Sequence, residues 1–208
     1  MGKLTFILGG ARSGKSSFAM ERAKKSRSVF YIATYRRTGD ADSLNTASRI
    51  RMYRDREMEE RIQKHKRVRP KNWKVAEEPI NLSLAIKKKT ENFQIILIDC
   101  ITLWVSNLIL KRKTAEEISI EAQKLVDTIK KANSRFILVS NEVGLGLVPD
   151  AKLGRIFRDI AGRVNQIIAE NADEVYFMVA GIPVKIKSVK VSEHQSIKVS
   201  EQKKRRRR

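Results

Sequence analysis

The residues best suited to do chemistry lie near the N-terminus, in a glycine-rich segment over 9–16. The segment reads Gly9-Gly10-Ala11-Arg12-Ser13-Gly14-Lys15-Ser16 and fits the pattern G-x-x-x-x-G-K-S/T. Its glycines let backbone N–H groups turn inward around phosphate oxygens, while the lysine supplies positive charge and the last hydroxyl is a ligand for Mg²⁺. A strand pattern precedes it and a helix start follows, which favours a P-loop over a coincidental glycine turn. The segment predicts a nucleoside triphosphate site and leaves a kinase, a nucleic-acid motor and a switch all open.

Asp99 is the second group with predicted chemistry, and it closes the apolar run over 95–98. A phosphate-bound Mg²⁺ needs a carboxylate from a neighbouring strand end, and we expect the strand of Asp99 to lie beside the first strand. Ser16 and Asp99 are therefore the predicted metal ligands. The alternative is that Asp99 caps the segment that follows, for which Thr102 is another candidate.

The elements that must position these groups alternate between short β-branched runs and segments with helical periodicity. This order is typical of βαβ units and a parallel sheet. The predicted strands cover 3–8, 29–34, 73–76, 94–99, 135–140 and 174–180, with an edge strand over 184–187. Besides the helix start over 17–23, buried stripes predict helices over 116–133 and 153–171. Their stripes are Ile118, Ala122, Leu125, Val126 and Ile129, and then Ile156, Ile160, Val164, Ile167 and Ile168. We interpret 35–54 as a long loop and 55–66 as a charged helix.

The composition and charge bound the class of protein. The chain has 208 residues, 41% of them hydrophobic, and a net charge of +21, of which +11 lies over 22–74 and +6 over 188–208. This indicates one α/β domain over 1–187 and a disordered basic tail over 188–208. The tail is either a solubilising appendage or a nucleic-acid arm. No apolar run reaches the roughly 20 residues of a membrane-spanning helix. The N-terminus lacks the pattern of a secretory signal and Cys100 is the only cysteine, so we expect a cytoplasmic protein.

Further sequence blocks follow the P-loop in a characteristic order, over 31–34, 61–65, 77–79, 99–107, 140–149 and 180–183. The most specific are Asp99-Cys100-Ile101-Thr102-Leu103-Trp104 and Asn141-Glu142-Val143-Gly144-Leu145-Gly146. Together the blocks closely resemble the bifunctional adenosylcobinamide kinase / adenosylcobinamide-phosphate guanylyltransferase family of cobalamin biosynthesis, over residues 1 to 187. The resemblance implies a RecA-like P-loop fold, with a mainly parallel sheet flanked by helices, that is commonly a trimer.

The resemblance also implies two reactions. ATP or GTP phosphorylates the hydroxyl of adenosylcobinamide; then a histidine attacks the α-phosphate of GTP, carries GMP and passes it to adenosylcobinamide phosphate. The catalytic histidine matches His65. The family's GTP contacts match Gly9, Gly10, Ala11, Arg12, Ser13, Gly14, Lys15, Ser16, Ala33, Thr34, Tyr35, Lys66, Arg67, Val68, Arg69, Glu77 and Asp99. The chain departs from the family by extra residues between Thr34 and Asp55, by Tyr35 in place of a small residue, and by its basic tail.

His65 allows two interpretations. Met58 and Ile62 share its helical face, which is typical of a histidine packed at an interface. The positive charges over 64–69 instead favour the neutral imidazole that a nucleophile requires, and they would also screen a triphosphate. Together with the resemblance, they favour the nucleophile. His194 has no predicted role.

Four other residues leave alternatives open. Glu142 has either a catalytic role, in which it polarises the substrate hydroxyl or binds Mg²⁺ through water, or a structural role as the cap of a glycine turn. Arg155 and Arg158 are either phosphate clamps or members of surface ion pairs. Trp104 is predicted to lie in the core or at a subunit interface, and Cys100 to be an inert core thiol.

The rivals to the bifunctional enzyme are a kinase-only P-loop enzyme and a nucleic-acid-associated ATPase. The stretches that carry the charge lack interleaved aromatic residues, so we expect no nucleic-acid partner.

Overall fold

A computed structural model of the chain describes residues 2–35, 63, 67–89 and 92–188. These residues form a seven-stranded sheet with five helices around it, an α/β fold with a mainly parallel sheet, as the sequence predicts. The strands are β1 (Lys3–Gly9), β2 (Val29–Ala33), β3 (Lys74–Glu77), β4 (Ile95–Asp99), β5 (Arg135–Val139), β6 (Glu174–Val179) and β7 (Ile182–Lys187). The helices are α1 (Lys15–Ala23), α2 (Leu82–Lys89), α3 (Ile101–Leu110), α4 (Ala115–Lys131) and α5 (Lys152–Asn171).

The strand order is β3-β2-β4-β5-β1-β6-β7, and every pair is parallel except β6 with β7. One expectation is wrong here: β4, which ends at Asp99, does not lie beside β1. β5 is inserted between them, pairing with β4 on one side and with β1 on the other. Asp99 still reaches the same edge as the P-loop, because the carboxyl ends of parallel strands meet at one edge of the sheet.

The central strands are buried on both faces, which explains why their sequences do not alternate between apolar and polar residues. On one face Phe6 of β1 packs with residues of α2, α3, α4 and α5. On the other face the neighbouring Ile7 packs with α1 and with Trp73. The P-loop thus lies between a strand and a helix that are both anchored in the core.

The predicted strands, and the predicted helices over 17–23, 116–133 and 153–171, are confirmed to within two residues at each end. A capping box at Thr114 and Glu117 sets the start of α4: each side chain binds the other's backbone N–H. The buried stripe of α5 is wrong at one position. Ile156 is 41% exposed, because the first turns of α5 extend beyond the buried cluster that contains Ile160 and Val164.

Several predictions concern residues outside those described. The long loop over 35–54, apart from Tyr35, and most of the charged helix over 55–66 fall there, as does nearly all of the basic tail over 188–208. The division into a domain over 1–187 and a tail therefore stays a prediction. Of the helices described, none combines the length and apolar character needed to cross a membrane.

Candidate nucleotide site

The segment between β1 and α1 folds as a tight loop in which Gly9 and Gly14 are sterically required. Gly14 has a φ of 92°, in the left-handed region that favours glycine. A Cβ atom on Gly9 would lie 2.7 Å from the carbonyl oxygen of Met178 on β6. The turn between β6 and β7 closes against the loop, because the N–H of Gly181 donates to the carbonyl of Ser13 over 3.1 Å. A glycine loop that leads directly into the first turn of a helix is the arrangement in which backbone N–H groups commonly bind anions.

Lys15 begins α1 and is only 7% exposed. Its Nζ donates to the carbonyl of Gly10 over 2.5 Å and approaches the Oγ of Ser13 at 3.4 Å. Burial lowers the pKa of Lys15, while the nearby Cys100 and Asp99 act in the opposite direction. A phosphate at the loop would supply the negative charge that favours the protonated amine.

Three of the predicted contacts lie side by side at the carboxyl edge of the sheet. Ala33 ends β2 and is in register with Glu77 of β3 on one side and with Asp99 of β4 on the other. Asp99 Oδ2 accepts a hydrogen bond from the hydroxyl of Tyr31 over 3.2 Å. Burial raises the pKa of this tyrosine well above its usual value, and the charge of Asp99 raises it further. Tyr31 is therefore a permanent donor to Asp99.

Arg69 lies across the face of Tyr31, with its guanidinium carbon 4.0 Å from the ring centroid. Its Nε is buried and has no hydrogen-bond partner among the described residues. The predicted contacts Arg67 and Val68 are exposed beside it. His65 and Lys66 lie outside the described residues, so the nucleophile and its distance from the P-loop stay predictions.

Thr34 is fully buried, and its side-chain hydroxyl forms its hydrogen bonds with the backbone of Cys100. Its Oγ1 donates to the carbonyl of Cys100 over 2.7 Å and accepts from the N–H of Cys100 over 2.8 Å. Its carbonyl accepts from Nδ2 of Asn107 on α3. Thr34 thus fixes the end of β2 against the start of α3, and Tyr35 follows at intermediate exposure.

Cys100 is the N-terminal cap residue of α3, so neither Asp99 nor Thr102 caps this helix, and the cap forms no side-chain hydrogen bond. Burial raises the pKa of the Cys100 thiol to about 12, and the carboxylate of Asp99 adds to the rise. A thiol with this pKa stays protonated at neutral pH, which agrees with the inert role predicted for it.

The structure gives the contacts of Glu142, Arg155 and Arg158, whose roles the sequence left open. Glu142 caps the glycine turn: its Oε1 accepts from the N–H of Gly144 over 2.6 Å. Arg155 donates to the carbonyls of Pro149 and Asp150. Arg158 forms an ion pair with the neighbouring Asp159, as its alternative role requires.

Trp104 is a core residue, 1% exposed, whose Nε1 donates to the carbonyl of Ile80. Sequence reasoning missed the contacts of Gly181, Tyr31 and Asn107 with the site. Tyr31 stands in a recognised block, but its residue type gave no sign that its hydroxyl meets Asp99. The contacts of Gly181 and Asn107 join distant parts of the chain and leave no local pattern.

The oxygen ligands available fit a magnesium ion bound together with a nucleotide. Ser16 lies in the first turn of α1, and Asp99 offers a half-buried carboxylate at the neighbouring strand ends. Within the described part of the chain no group of three or more histidine, cysteine, aspartate or glutamate residues has the arrangement of a metal cage. Mg²⁺ at nucleotide sites needs no such cage, since one or two protein oxygens, phosphates and waters suffice.

A buried lysine in a glycine loop between a parallel strand and a helix, with a carboxylate at the same sheet edge, defines the class of P-loop nucleotide-binding α/β proteins. Comparison with known proteins gives the particular family. The family described as cobinamide kinase / cobinamide phosphate guanyltransferase, CobU, matches residues 5–186. The chain belongs to this family, as its sequence blocks indicate.

Three curated relatives are similar over most of their length. The bifunctional adenosylcobalamin biosynthesis protein CobP of Pseudomonas aeruginosa is 40% identical over 182 residues, 87% of this chain and 95% of that protein. The bifunctional adenosylcobalamin biosynthesis proteins CobU of Escherichia coli and Salmonella typhimurium are 35% and 38% identical. Each match covers 196 residues, 88% of this chain and 99% of that protein.

Proposed function

We propose that the chain is a bifunctional enzyme of cobalamin biosynthesis. It phosphorylates adenosylcobinamide with ATP or GTP, and it then transfers GMP from GTP to adenosylcobinamide phosphate. The observation that carries the proposal is the formed P-loop with its buried Lys15, within a chain that matches the family over residues 5–186.

In the kinase reaction the acceptor hydroxyl attacks the γ-phosphorus, the bond to the bridging oxygen breaks, and the nucleoside diphosphate leaves. The P-loop N–H groups hold the phosphates, and Lys15 neutralises charge that develops on them. Besides the P-loop over 9–16, the contacts with the nucleotide come from residues 33–35, 66–69, Glu77 and Asp99. Mg²⁺, held by Ser16 and Asp99, would supply further charge stabilisation on the phosphates.

In the transfer reaction the imidazole of His65 attacks the α-phosphorus of GTP and pyrophosphate leaves, which gives a histidine-bound GMP. A phosphate oxygen of adenosylcobinamide phosphate then attacks the same phosphorus, and the bond to the imidazole breaks. The basic residues next to His65 in sequence support this role, because nearby positive charge favours a neutral imidazole. Arg67 and Arg69 are the described members of this basic group, and the stacking of the Arg69 guanidinium on Tyr31 brings it to the side of β2 next to Asp99.

The direct test is a coupled assay of the full-length protein with adenosylcobinamide, Mg²⁺ and either ATP alone or GTP. We expect the phosphorylated product with ATP and the GDP-linked product only when GTP is present, both resolved by liquid chromatography with mass detection. A phosphorylated product with no GDP-linked product under any condition would support the kinase-only rival. Nucleotide hydrolysis that requires RNA or DNA and disappears without residues 188–208 would support the nucleic-acid ATPase instead.

We also propose a cytoplasmic homo-oligomer, a trimer by family resemblance. Apolar side chains are exposed on the last hairpin, namely Val179, Ile182, Val184 and Ile186. β7 lies at the edge of the sheet, where exposed apolar residues favour association with another chain.

Sedimentation equilibrium should give the mass of three chains for the wild type. The Ile182→Glu variant should shift the mass toward one chain, since a charge would be buried in the interface. Ile120→Glu, an equally exposed position on α4, should leave the mass unchanged. A wild-type protein that sediments as a monomer at all concentrations would contradict the oligomer.

A further inference from the structure

A buried polar cluster lies at the end of β5, next to β1 in the sheet, and joins three separate elements. It consists of Thr102 in the first turn of α3, Ser140 just after β5, and Asn165 in the middle of α5. All three side chains are buried, Ser140 to 1% exposure. The two hydroxyl oxygens are 3.1 Å apart, and the Oγ of Ser140 lies 2.8 Å from Oδ1 of Asn165. Polar groups this deep in a protein are costly unless each finds a partner, and each of these three side chains has one.

The geometry fixes where each proton goes. Ser140 has a single hydroxyl proton and donates it to Oδ1 of Asn165, so Thr102 donates its own proton to Ser140. The amide nitrogen of Asn165 then faces the carbonyl of Asn141, 3.2 Å away, and the N–H of Asn141 donates to Oγ1 of Thr102 over 2.6 Å. Turning the amide over would place two acceptors against each other at Asn141. The cluster therefore binds both backbone groups of Asn141, the N–H through Thr102 and the carbonyl through Asn165.

The clamped backbone of Asn141 lies between two residues that bind the P-loop strand. The N–H of Ser140 donates to the carbonyl of Ile7 over 3.0 Å, and the N–H of Glu142 donates to the carbonyl of Gly9 over 2.9 Å. Gly9 is the first residue of the P-loop. Two sets of hydrogen bonds thus fix Asn141 relative to the phosphate-binding loop. One set joins Asn141 to the buried cluster, and the other joins its neighbours Ser140 and Glu142 to the P-loop strand.

We propose that Asn165, directly and through Ser140 and Thr102, is a positioning residue for phosphoryl transfer. It holds the Asn141–Glu142 backbone beside Gly9, at the carboxyl edge of the sheet where parallel α/β proteins bind their ligands. This inference rests on the proposed kinase function and assigns to that site a residue outside the nucleotide contacts. Small displacements of a reacting group lower rates far more than they lower binding, so the effect belongs to kcat.

The Asn165→Asp variant tests this role. It keeps the acceptor for Ser140 but replaces the donor to Asn141 with an oxygen that repels its carbonyl. We expect the kcat for adenosylcobinamide phosphorylation to fall roughly 10-fold to 100-fold. The KM for the nucleotide and the stoichiometry of nucleotide binding, measured by calorimetry, should stay at the wild-type values. Gln166→Glu is the matched control: it makes the same amide-to-carboxylate change at the next residue of α5, on the exposed face beside Arg163, and should leave kcat unchanged.

A second pair of variants covers the case in which Asn165→Asp fails to fold. Thr102→Val removes the acceptor for Asn141 and should lower kcat, whereas Thr102→Ser keeps the hydroxyl and should restore most of it. A loss of activity matched by an equal loss of nucleotide-binding stoichiometry would overturn the positioning role, as would unchanged kcat in Asn165→Asp or in Thr102→Val. Those results would leave the kinase activity of the wild type intact. A wild-type protein that does not phosphorylate adenosylcobinamide would instead refute the proposed function, and the positioning role would fall with it.

Discussion

Protein with His65 replaced by alanine should take up no label from α-labelled GTP, while it still phosphorylates adenosylcobinamide. The wild type, incubated with α-labelled GTP and Mg²⁺, should retain label that acid releases and alkali does not, as a phosphorus–nitrogen bond requires. Without the imidazole this bond cannot form, and removal of a covalent nucleophile typically lowers the rate by at least about 1,000-fold. The measurement is the radioactivity bound to denatured protein, followed by mass spectrometry of the labelled peptide.

The chain offers a matched control for this experiment, because it contains only two histidines. His194→Ala makes the same change in the basic tail and should be labelled like the wild type. Label on the His65→Ala protein would show that another residue is the nucleophile. Wild-type protein that stays unlabelled but phosphorylates adenosylcobinamide would point to the kinase-only rival, in which the extra residues before Asp55 displace the histidine.

The parts of the fold and site that the sequence predicts are those specified locally. The P-loop is one continuous segment, and the buried strands are apolar on both faces, so both leave a direct pattern in neighbouring residues. The order of the strands in the sheet leaves no such pattern in neighbouring residues. The insertion of β5 between β1 and β4 depends on how helices on both faces pack, and this made the expected neighbour of β1 wrong.

The same distinction applies to side chains. Of the two positions predicted for Trp104, the core and a subunit interface, the core is confirmed. The partners of Arg155 are backbone carbonyls, and residue types in the sequence do not predict such partners. Asn165 meets Asn141 and Ser140 across 24 and 25 positions of sequence, so a contact that orders the edge of the P-loop is invisible until the chain has folded.

The second large effect is expected at Lys15. Lys15→Met keeps most of the length of the buried side chain and removes its charge, so the packing at the start of α1 should survive. Both activities should fall by at least roughly 100-fold, because the phosphates lose a preorganised positive charge in a site that is shielded from water. The measurements are the rates of adenosylcobinamide phosphorylation and of labelling by α-labelled GTP. Lys24→Met, just after the same helix at an exposed position paired only with Glu21 among the described contacts, should leave both rates unchanged.

The stability of the Lys15→Met protein separates a lost charge from a damaged fold. Burial lowers the pKa of Lys15, so folding disfavours its charged form, and the cost is present below the folded-state pKa and declines as pH rises through it. At neutral pH without nucleotide, the Lys15→Met protein should therefore unfold at the same temperature as the wild type or higher. Added GTP raises the unfolding temperature of a protein that binds it, and this rise should be much smaller in the variant. A variant with the wild-type rise and wild-type rates would refute the role of Lys15, whereas one that unfolds at a lower temperature without nucleotide would show that its amine is needed for the fold.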